Sequence, residues 1–275
     1  MGPSYALSTH RQRRVQVKPQ GIRKSPLKDP PLRNPGQSLE EDVQRRFDDD
    51  WMPLFLASLV VVSFAVFEWW RYFYPASLNP WIPTSMAFLM VAFSAIRVVG
   101  LRPGIRNLRL GIDGEKTVGQ SLEKLRANGA IVFHDIPAGK YNVDHIVISP
   151  KGIFVIETKT RSKPNGRMGT IKYDGETVLV DGIAPDRDPI QQVKSNSSWI
   201  QELIWESTGK SFPVRPVVLF PGWFVEPLNS TAQNKVWVLN PKSLSSFMQH
   251  EKVGLAPEDI NLIAYHLSRY IRTKA

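Results

Sequence analysis

Two long apolar runs near the beginning of this chain limit most strongly what it can fold into. From Trp51 to Phe67 seventeen residues pass without a charge, and after Glu68-Trp69-Trp70-Arg71 a second uncharged run extends from Tyr72 to Ile96. At about 1.5 Å of rise per residue the first run reaches about 25 Å as a helix, enough for a short membrane span. The second is interrupted early by Pro75, Pro80 and Pro83, and its later part, from Thr84 to Ile96, reads as helix. Both runs are apolar all round instead of striped, unlike an amphipathic helix lying on a soluble core. They predict a transmembrane hairpin within residues 51–100 that meets the lipid bilayer, with spans at about 52–70 and 80–99. The bland alternative is a buried core hairpin of a soluble protein.

Aromatic and basic residues give the hairpin a direction. Trp69, Trp70, Tyr72, Tyr74 and Trp81 cluster around the connector, as in an aromatic belt at one membrane interface. Arg45 and Arg46 precede the first span and Arg97, Arg102, Arg106 and Arg109 follow the second, whereas the connector holds only Arg71. The positive-inside rule therefore places both termini, and all that follows the hairpin, in the cytoplasm.

The formal net charge of +10 over 275 residues at first suggests a nucleic-acid binder. Its distribution weakens that reading: residues 1–50 contribute +3, residues 51–110 contribute +4, and the long remainder only +3. Residues 1–50 are rich in Arg, Lys, Pro, Gln and Ser and read as a disordered, basic cytoplasmic tail. There is no cysteine, which excludes disulfides, thiolate zinc sites and cysteine nucleophiles. No Walker-type phosphate loop is present either.

From about residue 108 to 275 the pattern becomes that of an α/β domain. A helix over 112–128 stops at Asn128-Gly129. Strands follow at 130–134, 141–149 and 152–158, the last two joined around Pro150-Lys151, and another hairpin surrounds Asp174-Gly175. A helix over 188–206, strands at 214–220 and 235–239, and helices at 241–249 and 257–271 complete a mixed central sheet flanked by helices.

The segment YNVDHIVISPKGIFVIETKT, residues 141–160, carries the chemistry. Side chains alternate along a strand, so Ile153, Val155, Glu157 and Lys159 share one face. With a two-residue turn that sets Ser149 opposite Gly152, Asp144 falls across from Glu157. A bulge at Gly152 would shift the pairing by one and turn Asp144 to the other face. Paired carboxylates raise each other's pKa unless a cation neutralises them, and oxygen donors favour a hard ion, Mg²⁺ or Mn²⁺. The bland reading is a simple Glu157–Lys159 salt bridge beside an exposed Asp144.

Three motifs then resemble a known family. Gly111-Ile112-Asp113-Gly114-Glu115 in the first helix, the 141–160 segment, and Asp188-Pro189-Ile190-Gln191-Gln192-Val193 opening a later helix resemble the nuclease-related domain, NERD, grouped with the PD-(D/E)XK nucleases. The resemblance covers roughly residues 108–250 and implies a restriction-endonuclease-like αβββαβ core. It implies Asp144 and Glu157 as metal ligands and Lys159 as the catalytic lysine. Glu115 would be the first-helix acid that reaches the metal directly or through water, and Gln192 a supporting glutamine, with Gln191 open as the alternative. Val143 stands where the family's proline often precedes the first acid. The implied activity is metal-dependent hydrolysis of nucleic acid, with DNA the expected substrate. The competing reading is a catalytically silent binding or regulatory module localised by the hairpin.

Other residues have plainer expectations. His145 should point to the opposite sheet face as a core histidine, and His134-Asp135 should make a turn hydrogen bond. Lys151, Arg161, Lys163 and Arg167 are expected in loops around the site, where they would contact phosphates or simply be solvated. Trp199 and Trp205 should pack, and Pro221-Gly222-Trp223-Phe224 reads as an aromatic loop.

Overall fold

The computed structural model describes residues 31–74, 81–163, 169–227 and 235–274. Helix α1 (Gln37–Arg46) continues through a π-helical turn at Phe47–Trp51 into α2 (Met52–Phe73). Helix α3 (Trp81–Glu123) runs back without a break, carrying Pro103 in its interior. Two stretches, Gln37–Phe73 and Trp81–Asn128, are thus long and apolar enough to cross a membrane. Their most apolar windows are only 6% and 11% buried within the molecule, so neither lies inside this chain's own core. Phe55, Val60, Phe88 and Leu89 all face outward. Polar contacts knit the pair together: Ser58 Oγ and Ser94 Oγ lie 2.7 Å apart, and the Trp69 indole N–H donates to Thr84 Oγ1 at 2.7 Å. Such bonds hold apolar helices together where hydrophobic burial gives little.

The disordered tail expected over 1–50 does not hold for residues 37–50. Residues 1–30 lie outside the described residues, but residues 37–50 are helical and residues 33–38 dock on the α/β region. The reason is local. Arg33 and Ser38 find a buried partner in Asp135, and Leu39 meets Gly111 of α3, where a Cβ would stand 3.2 Å from its methyl.

The α/β region is built on a five-stranded sheet of order β1-β2-β3-β6-β8. β1 (Ile131–Pro137), β2 (Asn142–Ser149) and β3 (Gly152–Thr158) form an antiparallel meander. β6 (Val214–Leu219) and β8 (Trp237–Leu239) add in parallel to β3. A separate three-stranded sheet, ordered β5-β4-β7, holds β4 (Thr170–Tyr173), β5 (Val178–Val180) and β7 (Phe224–Pro227). The sequence placed the hairpin β4–β5 but assigned no second sheet. It read the residues leading into β7 as loop, because four residues following Pro-Gly give little alternation to read.

Helices cover both faces of the large sheet. On one face Ile146, Ile148, Ile153 and Val155 pack with Ile190, Val193 and Ile200 of α4 (Pro189–Thr208) and with α6 (Pro257–Lys274). On the other, Val147, Phe154, Ile156 and Trp237 meet Val118 and Leu122 of α3 and Leu244 and Met248 of α5 (Pro241–His250). This alternation of buried faces is what a doubly covered sheet requires. The order α3-β1-β2-β3-α4-β6 is the expected αβββαβ core.

One glycine governs how close α3 comes to the end of β3. A Cβ built on Gly114 would lie 1.8 Å from Thr160 Oγ1 and 2.9 Å from Thr160 Cβ. Gly114→Ala should therefore lower the thermal midpoint by the equivalent of about 1–3 kcal/mol. Gly100→Ala in the same helix, where nothing lies within 4 Å, should leave it unchanged or raise it slightly. Equal midpoints for the two variants in differential scanning would contradict the close approach.

Candidate active site

The β2–β3 turn fixes the site. Ser149 pairs with Gly152 and His145 with Ile156, so the two-residue turn without a register shift is the one adopted. Gly152 accommodates it with φ of 133°, a value that side chains disfavour. The paired residues end at His145 and Ile156; continued one step, this register would set Asp144 across from Glu157, at the end of the sheet where β3, β6 and β8 all terminate.

Glu157 is 2% exposed, and both of its oxygens are occupied. Oε1 accepts from Lys159 Nζ at 2.8 Å and from Gln192 Nε2 at 2.6 Å, while Oε2 accepts from Asn196 Nδ2 at 3.1 Å. Gln192 Oε1 in turn accepts from Lys159 Nζ at 2.8 Å, closing a triangle of Glu157, Lys159 and Gln192. Gln191 is exposed, so the doublet resolves to Gln192. The Glu157–Lys159 ion pair of the bland reading is present, but two amides from α4 complete it. Asn196 was not singled out from the sequence. Its spacing of four from Gln192, one helical turn, was the available signal.

Asp144 Oδ2 accepts the backbone N–H of Thr158 at 2.7 Å. Glu115 comes from α3 and accepts the backbone N–H of Gly36, in the segment before α1. Burial raises the pKa of all three carboxyls. Glu115 is pushed up to about 7 by burial and then by the charges of Asp135 and Glu157. Asp144 is held well above its ordinary value by desolvation and then by Glu157 and Glu115. Glu157 stays raised although Lys159 opposes the shift. The structure thus brings Glu115, Asp144, Glu157, Lys159 and Gln192 into one electrostatic cluster.

A second missed residue is Asp135, 1% exposed and with φ of 52° inside β1. Arg33 Nε donates to it at 2.6 Å, Ser38 N at 2.9 Å, Ser38 Oγ at 2.6 Å and Asn142 Nδ2 at 2.8 Å. The turn expected at His134-Asp135 is instead a strand residue that anchors the pre-helical segment. His145 does turn to the other face, where it is buried. Its Nδ1 lies 2.8 Å from Nδ1 of His134, which also meets Glu123 at 2.9 Å, while His145 Nε2 has no partner.

The basic loops divide. Lys151 is not near the site: it sits in the β2–β3 turn at the opposite end of β3 from Glu157, where its Nζ donates to the Glu251 carbonyl at 2.7 Å. Lys163 lies over the Trp223 ring at 5.5 Å, and the Trp223 indole N–H donates to the Arg161 carbonyl at 3.3 Å. Arg167 lies outside the described residues. Trp199 packs edge-on against Tyr270, whereas Trp205 is exposed.

Among the described residues no three His, Asp or Glu side chains are arranged closely enough to hold a metal ion. The chemistry of the donors nevertheless suits one. Three buried carboxyls with raised pKa beside a single lysine offer hard oxygen donors, and a bound cation would favour their ionised form.

The raised pKa of Glu115 has a sign that can be tested. From its ordinary value of 4.5 up to about 7, the folded chain keeps a proton that the unfolded chain has lost. Stability therefore falls as pH rises through that window, by roughly 3 kcal/mol in full. Asp144 and Glu157 act in the same direction. Glu115→Gln should raise the thermal midpoint of the detergent-solubilised chain above the parent's at about pH 8 and flatten its decline with pH. An unchanged pH slope would assign the titration to other groups.

Comparison with known proteins agrees with this geometry. No curated protein and no solved structure gives a significant match to the chain. The family model of the nuclease-related domain matches residues 110–221, which span Glu115, Asp144, Glu157, Lys159 and Gln192. Residues 110–221 thus match the nuclease-related domain, behind two helices long and apolar enough to cross a membrane.

Proposed function

We propose that this protein is a membrane-anchored, metal-dependent nuclease that hydrolyses phosphodiester bonds of nucleic acid, with DNA as its substrate. The observation that carries the reading is the cluster at the end of β3, in which burial raises the pKa of Asp144, Glu157 and Glu115 beside Lys159 and the charges of Glu157 and Glu115 raise Asp144 further. Asp144 and Glu157 would hold Mg²⁺ or Mn²⁺, with Glu115 approaching from α3. When bound, the ion supplies a more acidic water and neutralises charge developing on the phosphate.

The protein's own groups have separable tasks. Lys159 carries positive charge at the mouth of the site, 27% exposed, and is placed to meet a phosphate oxygen or orient the attacking water. Gln192 holds Lys159 and Glu157 in one geometry, and Asn196 restrains the second oxygen of Glu157. Glu115, titrating near neutrality, is suited to exchange a proton with water at the site.

The hairpin would place this domain against the cytoplasmic face of a membrane, with both termini on that side. The chain lacks cysteine, so single cysteines report topology cleanly. Tyr74→Cys should react with a membrane-impermeant maleimide on intact cells and Lys274→Cys only after lysis. The reverse pattern would overturn the orientation.

A second reading, a silent binding module, draws on one observation: both Glu157 oxygens already have partners from Lys159, Gln192 and Asn196. Cleavage separates the two. Full-length protein in detergent should cut DNA with Mg²⁺ or Mn²⁺, and Asp144→Asn or Lys159→Ala should lower the rate by about 10²-fold or more. Lys151→Ala, at the far end of β3, should cut normally. Cleavage unaffected by Asp144→Asn and Lys159→Ala would remove the nuclease assignment. Metal-independent stability with no cleavage would favour the binding module.

A further inference from the structure

The end of the sheet that carries the carboxylates continues past β3, β6 and β8 towards a concavity. Lys159 N donates to the Leu219 carbonyl at the end of β6, and Phe220 N donates to the Leu239 carbonyl at the end of β8. Beyond these ends the chain turns through Pro221-Gly222 into Trp223 and Phe224. A cavity of about 570 Å³ opens there, bounded by α3, the start of α5 and the Trp223-Phe224 segment. Its lining has three lysines, Lys124, Lys163 and Lys242, and no acid among the described residues. Next to a site with several carboxylates, this is a sharp change of sign.

The wall is as informative as the charge. Trp223 is buried and fixed: its indole N–H is bonded to Arg161, its carbonyl accepts from Asn240 Nδ2 at 2.7 Å, and its ring leaves no room for a Cβ on Gly169. Phe224 follows it on β7 and is 61% exposed, a large ring turned to solvent from a rigid strand. Three lysines around one exposed aromatic ring make a surface that can hold phosphates and stack a base. A paired base within a duplex offers its faces only to its neighbours, so the ring can stack only on an unpaired base. The volume corresponds to one small ligand or nucleotide, not to a helix.

We propose that this cavity seats an unpaired nucleotide adjacent to the scissile bond, and that the substrate is single-stranded nucleic acid or a locally unpaired segment. Lys124, Lys163 and Lys242 hold the phosphates and Phe224 stacks on the base. The arrangement deepens the nuclease reading and rests on it for the position of the scissile bond, but binding can be measured without cleavage.

Fluorescence anisotropy of the full-length, detergent-solubilised protein in EDTA, with labelled oligodeoxythymidylate and with the same strand annealed to oligodeoxyadenylate, tests it. The single strand should bind more tightly than the duplex. Phe224→Ala should weaken single-strand binding by at least about fivefold, and Phe224→Tyr should retain it. Lys242→Glu should weaken binding and flatten its dependence on salt. Duplex binding as tight as single-strand binding, or Phe224→Ala without effect, would overturn the proposal. The two readings fail separately. If Asp144→Asn abolishes cleavage while Phe224→Ala leaves single-strand binding intact, the cavity assignment is wrong and the nuclease stands. If Phe224→Ala weakens binding while cleavage ignores Asp144→Asn, the cavity stands without the nuclease.

Discussion

A carboxylate almost removed from water at the end of an apolar strand is the constraint around which the domain is arranged. Leaving Glu157 buried without partners would cost several kcal/mol. Lys159, Gln192 and Asn196 meet that requirement from two elements at once. The demand fixes where α4 must lie: Gln192 and Asn196 reach the strand only if the Ile190, Val193 and Ile200 face packs against Ile153 and Val155. Side-chain alternation on β3 then sets the apolar packing and the charged end on one face, so the core and the site depend on the same register.

Asp135 plays a comparable part on the other side. Four hydrogen bonds converge on it, one from Asn142, one from Arg33 ahead of α1 and two from Ser38 in the first turn of α1. The same segment presents the Gly36 N–H to Glu115, so a stretch lying well outside the matched domain helps to hold one of its acids. Pro35 against Gly119, where a Cβ would stand 2.5 Å from the proline ring, shows how closely this strap lies on α3.

Much of this was legible in the residues. The helical hairpin, the meander and the order of elements follow from apolar runs and alternation, while Glu115, Asp144, Glu157, Lys159 and Gln192 were grouped through the resemblance that three short motifs carry. The register was not decided by sequence, because Ser149-Pro150-Lys151-Gly152 suits two turn geometries of nearly equal local energy and packing of both sheet faces selects one. Asp135 was expected in a turn hydrogen bond and not as an anchor, because its partners lie about a hundred residues away, at Arg33 and Ser38. The strap was misjudged for the same reason: a polar, proline-rich composition reports the lack of a self-made core, not the docking on someone else's. Lys151 was placed with the site through nearness in sequence, although β3 carries it the full length of the strand away.

Helix α3 joins the apolar hairpin and the α/β region as a single helix, with Pro103 in its interior. It carries apolar residues at one end, Glu115 near the other, and no turn between them. At about 1.5 Å per residue, Glu115 stands roughly 27 Å beyond Arg97, the first charge after the apolar run. Length and phase are therefore locked together: each residue added or lost in between would swing Glu115 by about 100° around the axis as well as sliding it. The stand-off between the apolar belt and the carboxylates is thus quantised in helical turns, and the angular timing of the helix keeps Glu115 directed at Asp144 and Glu157.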